Sequence, residues 1–488
     1  MSNAPTPATS EDRTVIRATR GMCDTCLQEV PAEVITADGA AWLEKLCPDH
    51  GASRQLLSRD PAYWAEMDRY YFAVNSEDYP QRDFLLRLTE RCNLDCPICL
   101  AKANTETTTD LDLSNLEDLI NSKRRIKVDF MAAEPTLRKD LEDWVRKVKA
   151  QGHIAALHSN GLRLTDKAFC QRMKDCGFDE VFLQFDGFDN EATKWLRGRD
   201  GLVELKLQAI RNLREVGLAT NLTVVVAHGL NEPQISKVLQ FSLMPENDHI
   251  REVFFLGLRI LGSFRDQLAK DGNEFDEMAV MPDETLEMLV TQWPDQFNRD
   301  DIRIFNKLYF ALLSSFKVKK CLYVQHYLAL RDGKGGLIPF RDLVDMPRLD
   351  RAADRYARQF ETNPRLARAR FLASLARQAA THKMLPVMLD FIRLQLLFRS
   401  GMKLDEVSRK VVMLGFITAC DPHNYDAQVG INCGKGELSM DGGFIESGAV
   451  ANVQREARFD ATDLEPGTLK DPNRATGKAM PADGASCS

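Results

Sequence analysis

Between Phe84 and Arg259 short β-branched or aromatic runs alternate with longer segments whose apolar residues recur at helical spacing. The runs cover residues 84–88, 126–131, 154–158, 180–185, 221–227 and 252–258; the helical segments include 113–123, 138–151, 166–176, 202–216 and 232–241. Alternation of this kind predicts βαβ units on a parallel sheet. Six of them suit a partial (β/α)6 barrel of the TIM type, in which functional groups gather on the loops after the carboxyl ends of the strands.

The loop after the first run reads C-N-L-D-C-P-I-C, with Cys92, Cys96 and Cys99. Three thiolates on one loop can hold three irons of a [4Fe–4S] cube and leave the fourth open to a small chelating ligand. An open iron implies chemistry rather than storage. The competing reading is a structural zinc knuckle or plain packing. Zinc motifs usually pair C-x-x-C with a second distant pair, and no fourth ligand lies nearby at that spacing.

Polar residues follow the other runs in the same way: Glu134 the second, Ser159 and Asn160 the third, Asp186 the fourth, His228 the fifth and Arg259 the sixth. Each has a plainer alternative. Asn160-Gly161 makes an ordinary turn, Asp186 a helix cap, Arg259 a surface ion pair and His228 a loop residue rather than a proton donor. Near the amino terminus Cys23-Asp-Thr-Cys26 and Cys47-Pro-Asp-His50 present four ligands at spacings suited to Zn²⁺ or iron. With every ligand supplied by protein, such a site is closed and holds a small domain together.

The remaining cysteines divide. Cys170 and Cys176 lie six residues apart on a predicted helix and are expected to pack against the sheet. Cys321, Cys420 and Cys433 lie in the carboxyl-terminal third, near His326 and His423. An auxiliary cluster, a thiophilic substrate and a structural role all remain open for them, since three thiols without a fourth make an incomplete cage.

A chain of 488 residues with 44% hydrophobic and 28% charged residues can bury a large core. No apolar stretch approaches the length of a membrane span, and residues 1–18 lack the apolar core of a signal peptide, so a cytoplasmic protein is expected. Twelve cysteines then argue for metal ligation or reactive thiols, and a net charge of −7 gives no general attraction for nucleic acid. The expected division is a disordered tail (1–18), a rubredoxin or zinc-ribbon-like knuckle (19–60), a linker helix (61–82), the barrel (83–300), a mostly helical extension (301–448) and a second disordered tail (449–488) holding Cys487. Within the extension, residues 350–400 read as helical, with Arg351, Arg355 and Arg358 on a solvated face.

The cysteine loop resembles the C-x-x-x-C-x-x-C signature of radical S-adenosylmethionine (SAM) enzymes. Met131-Ala132-Ala133-Glu134-Pro135 stands where that family has Gly-Gly-Glu-Pro, His158-Ser159-Asn160-Gly161-Leu162-Arg163-Leu164 resembles its Thr-Asn-Gly-x-Arg-Leu turn, and Gln184-Phe185-Asp186-Gly187 its Gln-Phe-Asp-Gly segment. With the amino-terminal knuckle and Cys420-Asp421-Pro422-His423, the chain from about residue 22 to 447 is similar to the tetraether lipid synthase-like branch, and more distantly to the molybdenum cofactor cyclases. The resemblance implies a [4Fe–4S] cluster on Cys92, Cys96 and Cys99 that cleaves SAM reductively, with Ala133, Glu134, Ser159, Asn160, Asp186 and Arg259 orienting SAM. It also implies an electron donor such as flavodoxin or ferredoxin, and a small-molecule or lipid substrate in which a C–C or C–heteroatom bond is formed. Alanines replace both glycines, and a downstream Pro-Phe-Cys segment of the branch is missing, which argues against a full set of auxiliary clusters. One alternative within the superfamily is transfer of a 3-amino-3-carboxypropyl group from SAM to a thiol-held acceptor such as trivalent arsenic, which Cys321, Cys420 and Cys433 would suit. A non-catalytic iron–sulfur and zinc redox protein is the rival outside it.

Overall fold

The computed structural model describes residues 12–80, 83–104, 110–114, 116–121, 125–259, 262–263, 278–381, 408–418, 420–438 and 444–445. The expected tail at 449–488 lies outside them. At the amino end four antiparallel strands follow one another as a meander: β1 (Thr14–Met22), β2 (Glu29–Ala37), β3 (Ala40–Cys47) and β4 (Gly51–Ser58). The tail expected through residue 18 therefore ends sooner, because Thr14 already pairs with Thr36. Asp38 and Gly39 both take positive φ, as a two-residue hairpin between right-twisted strands requires.

Helix α1 (Pro61–Ala73) starts where the Asp60 carboxylate accepts from Tyr63 N and Pro61 presets the first turn. It is more than the expected linker. Tyr70 donates to the Ala353 carbonyl (3.0 Å), Tyr71 donates to the Lys320 carbonyl (2.9 Å), and Trp64 stacks on Tyr323, so its aromatic face ties the small domain to the distant carboxyl-terminal region.

The barrel follows in the expected order: β5 (Asp83–Arg87), α2 (Leu116–Ile120), β6 (Lys127–Met131), α3 (Leu141–Ala150), β7 (Ile154–Ser159), α4 (Lys167–Cys176), β8 (Glu180–Gln184), α5 (Asn190–Arg197), α6 (Leu202–Val216), β9 (Ala219–Val226), α7 (Gln234–Leu243) and β10 (Ile250–Gly257). Strands β5 to β10 pair in parallel, each with the next. Cys170 and Cys176 are buried in the core against this sheet, as expected.

Beyond them come α8 (Pro282–Gln292), α9 (Arg299–Ser315), β11 (Val324–Arg331), β12 (Leu337–Ile338), α10 (Met346–Phe360), α11 (Pro364–Thr381), β13 (Val411–Thr418), α12 (Ala427–Ile431), β14 (Lys435–Leu438) and β15 (Phe444–Ile445). The extension carries helices over the described part of the expected range, residues 382–400 lying outside the described ones, and Arg351, Arg355 and Arg358 are exposed on α10. Its strands were not anticipated. They lengthen both edges of the barrel sheet, giving the order β12-β11-β13-β10-β9-β8-β7-β6-β5-β14-β15. The boundary expected at residue 300 accordingly falls inside α9, and the extension is part of the sheet rather than an attachment.

Alternation along the strands separates two faces. Val128, Phe130, Val181, Leu183, Val253 and Phe255 join the apolar core. The opposite face carries Lys127, Asp129, His158, Glu180, Asn221 and Glu252. Lys127 Nζ lies 3.7 Å from Asp129 and 3.6 Å from Glu180, and Asn221 donates to Glu180 (2.9 Å). Glu252 on β10 is pushed up to about 7 by burial and then by Glu180, while Lys127 on β6 and Lys435 on β14 oppose the rise. In a flat sheet four strand spacings would hold β10 and β6 about 19 Å apart. This face is therefore concave, and it mixes these charged groups with Phe182 and Phe254, whose rings stack at 5.9 Å.

Candidate active site

The loop leaving β5 is shaped by its own backbone. Cys92 N donates to Asn104 Oδ1 (2.9 Å), Cys99 N to the Cys96 carbonyl (3.1 Å) and Lys102 N to the Cys99 carbonyl (3.3 Å). Two glycines admit it. A Cβ on Gly198 would lie 2.8 Å from the Asp95 carbonyl oxygen, and one on Gly262 would overlap that of Cys99. Both have positive φ, so glycine is favoured twice over.

The three thiols fit a cluster better than a single metal. All are free and half-buried. They do not form a set of ligand atoms within 4.8 Å of one another, as the only such group among the described residues lies elsewhere. Leu94 N and Asn160 Nδ2 donate to Cys92 Sγ (3.4 and 3.6 Å), and Ala103 N donates to Cys99 Sγ (3.5 Å). Such N–H···S bonds orient and tune cluster ligands. Burial pushes the Cys92 thiol up to about 11 and raises Cys96, so protons stay on until iron displaces them.

After β6 the chain turns through Ala132 and Ala133 with φ of 68° and 38°. Left-handed backbone costs an L-residue roughly 1–2 kcal/mol, so the replaced glycines have left a strained turn of the same handedness. Glu134 is engaged within the protein. Its carboxylate, fully buried, accepts from Thr136 Oγ1 (2.6 Å), Thr136 N (3.3 Å), Ser159 Oγ (2.9 Å) and Asn160 N (2.8 Å). Burial raises its pKa against these donors. With these four bonds it locks the β6 and β7 loops together. Ser159 is drawn into that lock, while Asn160 reaches outward to Cys92 and to Asn93 Oδ1 (2.7 Å).

Asp186 is likewise engaged. It accepts from Arg197 Nε and Nη2 (2.7 and 2.8 Å), Val225 N (3.0 Å) and Gln184 Nε2. It does not cap α5, whose cap is Asp189. Sequence reasoning missed Arg197 and Lys206, which both act on Cys96. Lys206 Nζ donates to the carbonyls of Asn160 and Gln184 (2.9 Å each). The available signal was a lysine within the buried stripe of α6 formed by Leu202, Val203, Ala209, Ile210 and Leu213.

Arg259 forms a buried pair with Asp421 (2.7 Å) rather than a surface one, and His228 lies 3.7 Å from both Glu232 and Glu284. The Glu284 bond raises the His228 pKa despite burial.

In the amino-terminal domain the ligand atoms of Cys23, Cys26, Cys47 and His50 all lie within 4.8 Å of one another. Cys26 and Cys47 sulfurs are 3.9 Å apart. Thiolates bound at about 2.3 Å to a tetrahedral zinc sit about 3.8 Å apart, so the set fits a closed mononuclear site.

Cys321 precedes β11, Cys420 follows β13 and Cys433 precedes β14, yet all three interact electrostatically. Burial pushes Cys321 up to about 12, with Cys433 adding to the rise, and raises Cys420 well above the ordinary thiol value, with Cys321 and Cys433 adding to it. The amino-terminal domain grips the segment between them. Asp24 contacts His423 Nδ1 (3.0 Å), Lys45 donates to the His423 carbonyl (3.0 Å), and Asp426 accepts from Arg17 and from Thr19 Oγ1 (2.7 Å).

A family model described as the Radical SAM superfamily matches residues 86–242, and one described as the HMPTM N-terminal zinc ribbon domain matches residues 15–59. Among curated proteins the chain is similar to 7,8-dihydro-6-hydroxymethylpterin dimethyltransferase of Methanocaldococcus jannaschii, 24% identical over 52% of this chain and 56% of that protein. It is also similar to a probable GTP 3',8-cyclase of Pyrococcus abyssi, 25% identical over 33% of this chain and 53% of that one. The chain thus spans about half the length of these relatives. A solved structure of Streptococcus suis SuiB bound to S-adenosylmethionine aligns over 46% of this chain and 57% of that one, with 14% identity and a TM-score of 0.35.

Proposed function

We propose that this chain, which carries a radical SAM domain at residues 86–242 behind a zinc ribbon at residues 15–59, is an enzyme that cleaves SAM reductively to build a C–C or C–heteroatom bond on a small molecule or lipid. When bound, a [4Fe–4S] cluster would supply one electron to the SAM sulfonium, breaking one of its carbon–sulfur bonds and leaving a carbon radical. Cys92, Cys96 and Cys99 would hold that cluster. The observation that carries the reading is the convergence of three strand ends on one loop: the thiols after β5, the left-handed Ala132–Ala133 turn after β6, and the Asn160 amide after β7, 3.6 Å from Cys92 Sγ.

The residues then have distinct tasks. Glu134 and Ser159 fix the loops, Asp186 holds Arg197, and the backbone at Ala133 with the Asn160 side chain offers polar groups to the methionyl end of SAM. Arg259 serves SAM indirectly, by holding Asp421 next to Cys420. The ribbon's zinc or iron is structural.

A second reading follows from the gathered Cys321, Cys420 and Cys433: an auxiliary cluster there, or a thiophilic acceptor such as trivalent arsenic that receives the 3-amino-3-carboxypropyl group of SAM. Anaerobic reconstitution followed by SAM and dithionite tests both readings. Release of 5′-deoxyadenosine supports the first, and methylthioadenosine supports the second. Release of neither sinks the proposal and leaves a non-catalytic iron–sulfur protein; product formation undiminished in Cys92→Ser, Cys96→Ser and Cys99→Ser sinks it by placing the chemistry outside this loop.

A further inference from the structure

We propose that Lys206, with Arg197, holds positive charge against Cys96 and so sets the reduction potential of the cluster that the cysteine loop would carry; the inference rests on the cluster assignment above. Lys206 is 1% exposed, and its bonds go to neutral acceptors only: the Asn160 and Gln184 carbonyls and Gln184 Oε1. No carboxylate is bonded to it among the described residues. Burying an unpaired cation costs several kcal/mol, a cost that a neutral donor stapling the same carbonyls would avoid. The charge itself therefore has a use.

The surroundings point to the cluster loop. Asn160, whose carbonyl receives Lys206, sends its amide to Cys92 Sγ. Arg197 bonds Asp186 through both ends of its fork, and the next residue, Gly198, packs on the Asp95 carbonyl beside Cys96. Arg197 and Lys206 both favour the Cys96 thiolate, and Asp186 opposes it. The Asp186 carboxylate bonds Arg197 and, with Glu134, also acts on Lys206 from a distance, but neither bonds it, so the Lys206 charge is less closely compensated than that of Arg197. Burial draws Lys206 down only to about 8, so it remains protonated at pH 7. Reduction adds a negative charge to a cluster, and a fixed cation beside a ligand sulfur favours that state.

The test is an EPR-monitored redox titration of the anaerobically reconstituted full-length protein at pH 7, without SAM. In Lys206→Met and Lys206→Gln we expect about tenfold less reduced cluster at a fixed potential, a fall of about 59 mV for a one-electron couple. Lys206→Arg should keep the wild-type midpoint. Asp186→Asn should move it upward, because Arg197 loses its counter-charge. Glutamine retains an N–H donor for the carbonyls, so an unchanged midpoint in Lys206→Gln overturns the proposal. If the lysine variants fail to load iron, the Asp186→Asn titration decides, and no upward shift there overturns it. A wild-type protein that assembles no cluster overturns the cluster assignment and this inference together; a loaded wild type with identical midpoints in all variants overturns this inference alone.

Discussion

Ala132 and Ala133 show how a side chain can be legible while its backbone is not. Their place in the sequence marked a loop where glycines are usual, and the structure keeps the left-handed turn that glycine would have adopted freely. Ala132→Gly is therefore expected to stabilise the protein by about 1 kcal/mol, less a few tenths for the freer unfolded chain, seen as a higher denaturant midpoint. An unchanged or lower midpoint would mean that the turn is not strained. Glu134, Asp186 and Arg259 were singled out by position, and each does lie at a strand end. What position could not reveal was whether their charges were free. All three are buried and bonded to donors or counter-ions from distant segments, because a desolvated charge needs such partners.

The parallel strands β6 to β10 were found to within two residues because each is flanked by a helix of clear amphipathic period. Strands β11 and β13 escaped. VVMLGFIT is a nearly continuous apolar run, which periodicity alone cannot separate from buried helix, and VQHYLALR offers only the short apolar stretch Tyr327–Leu330. Yet β13 binds the sheet by its core face, where Phe416 is fully buried and stacks on Phe255 of β10 at 5.9 Å. Phe416→Ala should cost about 3–5 kcal/mol in chemical denaturation, and a loss under 1 kcal/mol would place β13 outside the core. Strand β11 brings a pH dependence. Burial draws His326 down to about 4, so the folded protein refuses a proton that the unfolded chain accepts below about pH 6.5. Stability contributed by neutral His326 is present above about 6.5 and is lost progressively down to about 4, a span worth roughly 3 kcal/mol. His326→Phe, which can retain the stack on Tyr309, should flatten that part of a stability-against-pH curve. An unaltered slope would assign the acid sensitivity to other groups.

Across the whole molecule the zinc ribbon is joined to the barrel through the 420–433 segment. Leu27 and Met22 pack with Tyr425 and Cys420, and Arg17 bridges Asp68 of α1 and Asp426. Stripping metal from Cys23, Cys26, Cys47 and His50 with a chelator should therefore speed alkylation of Cys420 well before that of core-buried Cys170. Equal rates before and after chelation, read by peptide mass spectrometry, would show the two units to be independent. The sequence by itself determined the alternating strands and helices, the metal knuckle and the three-thiol loop, because each is a local pattern of spacing. Only the tertiary structure decided which charges pair with one another, that the carboxyl-terminal strands lengthen both edges of the sheet, and that Lys206 bonds the carbonyls of Asn160 and Gln184. Those are contacts between segments far apart in the chain, and burial, which is set by the whole fold, determines what each contact costs or contributes.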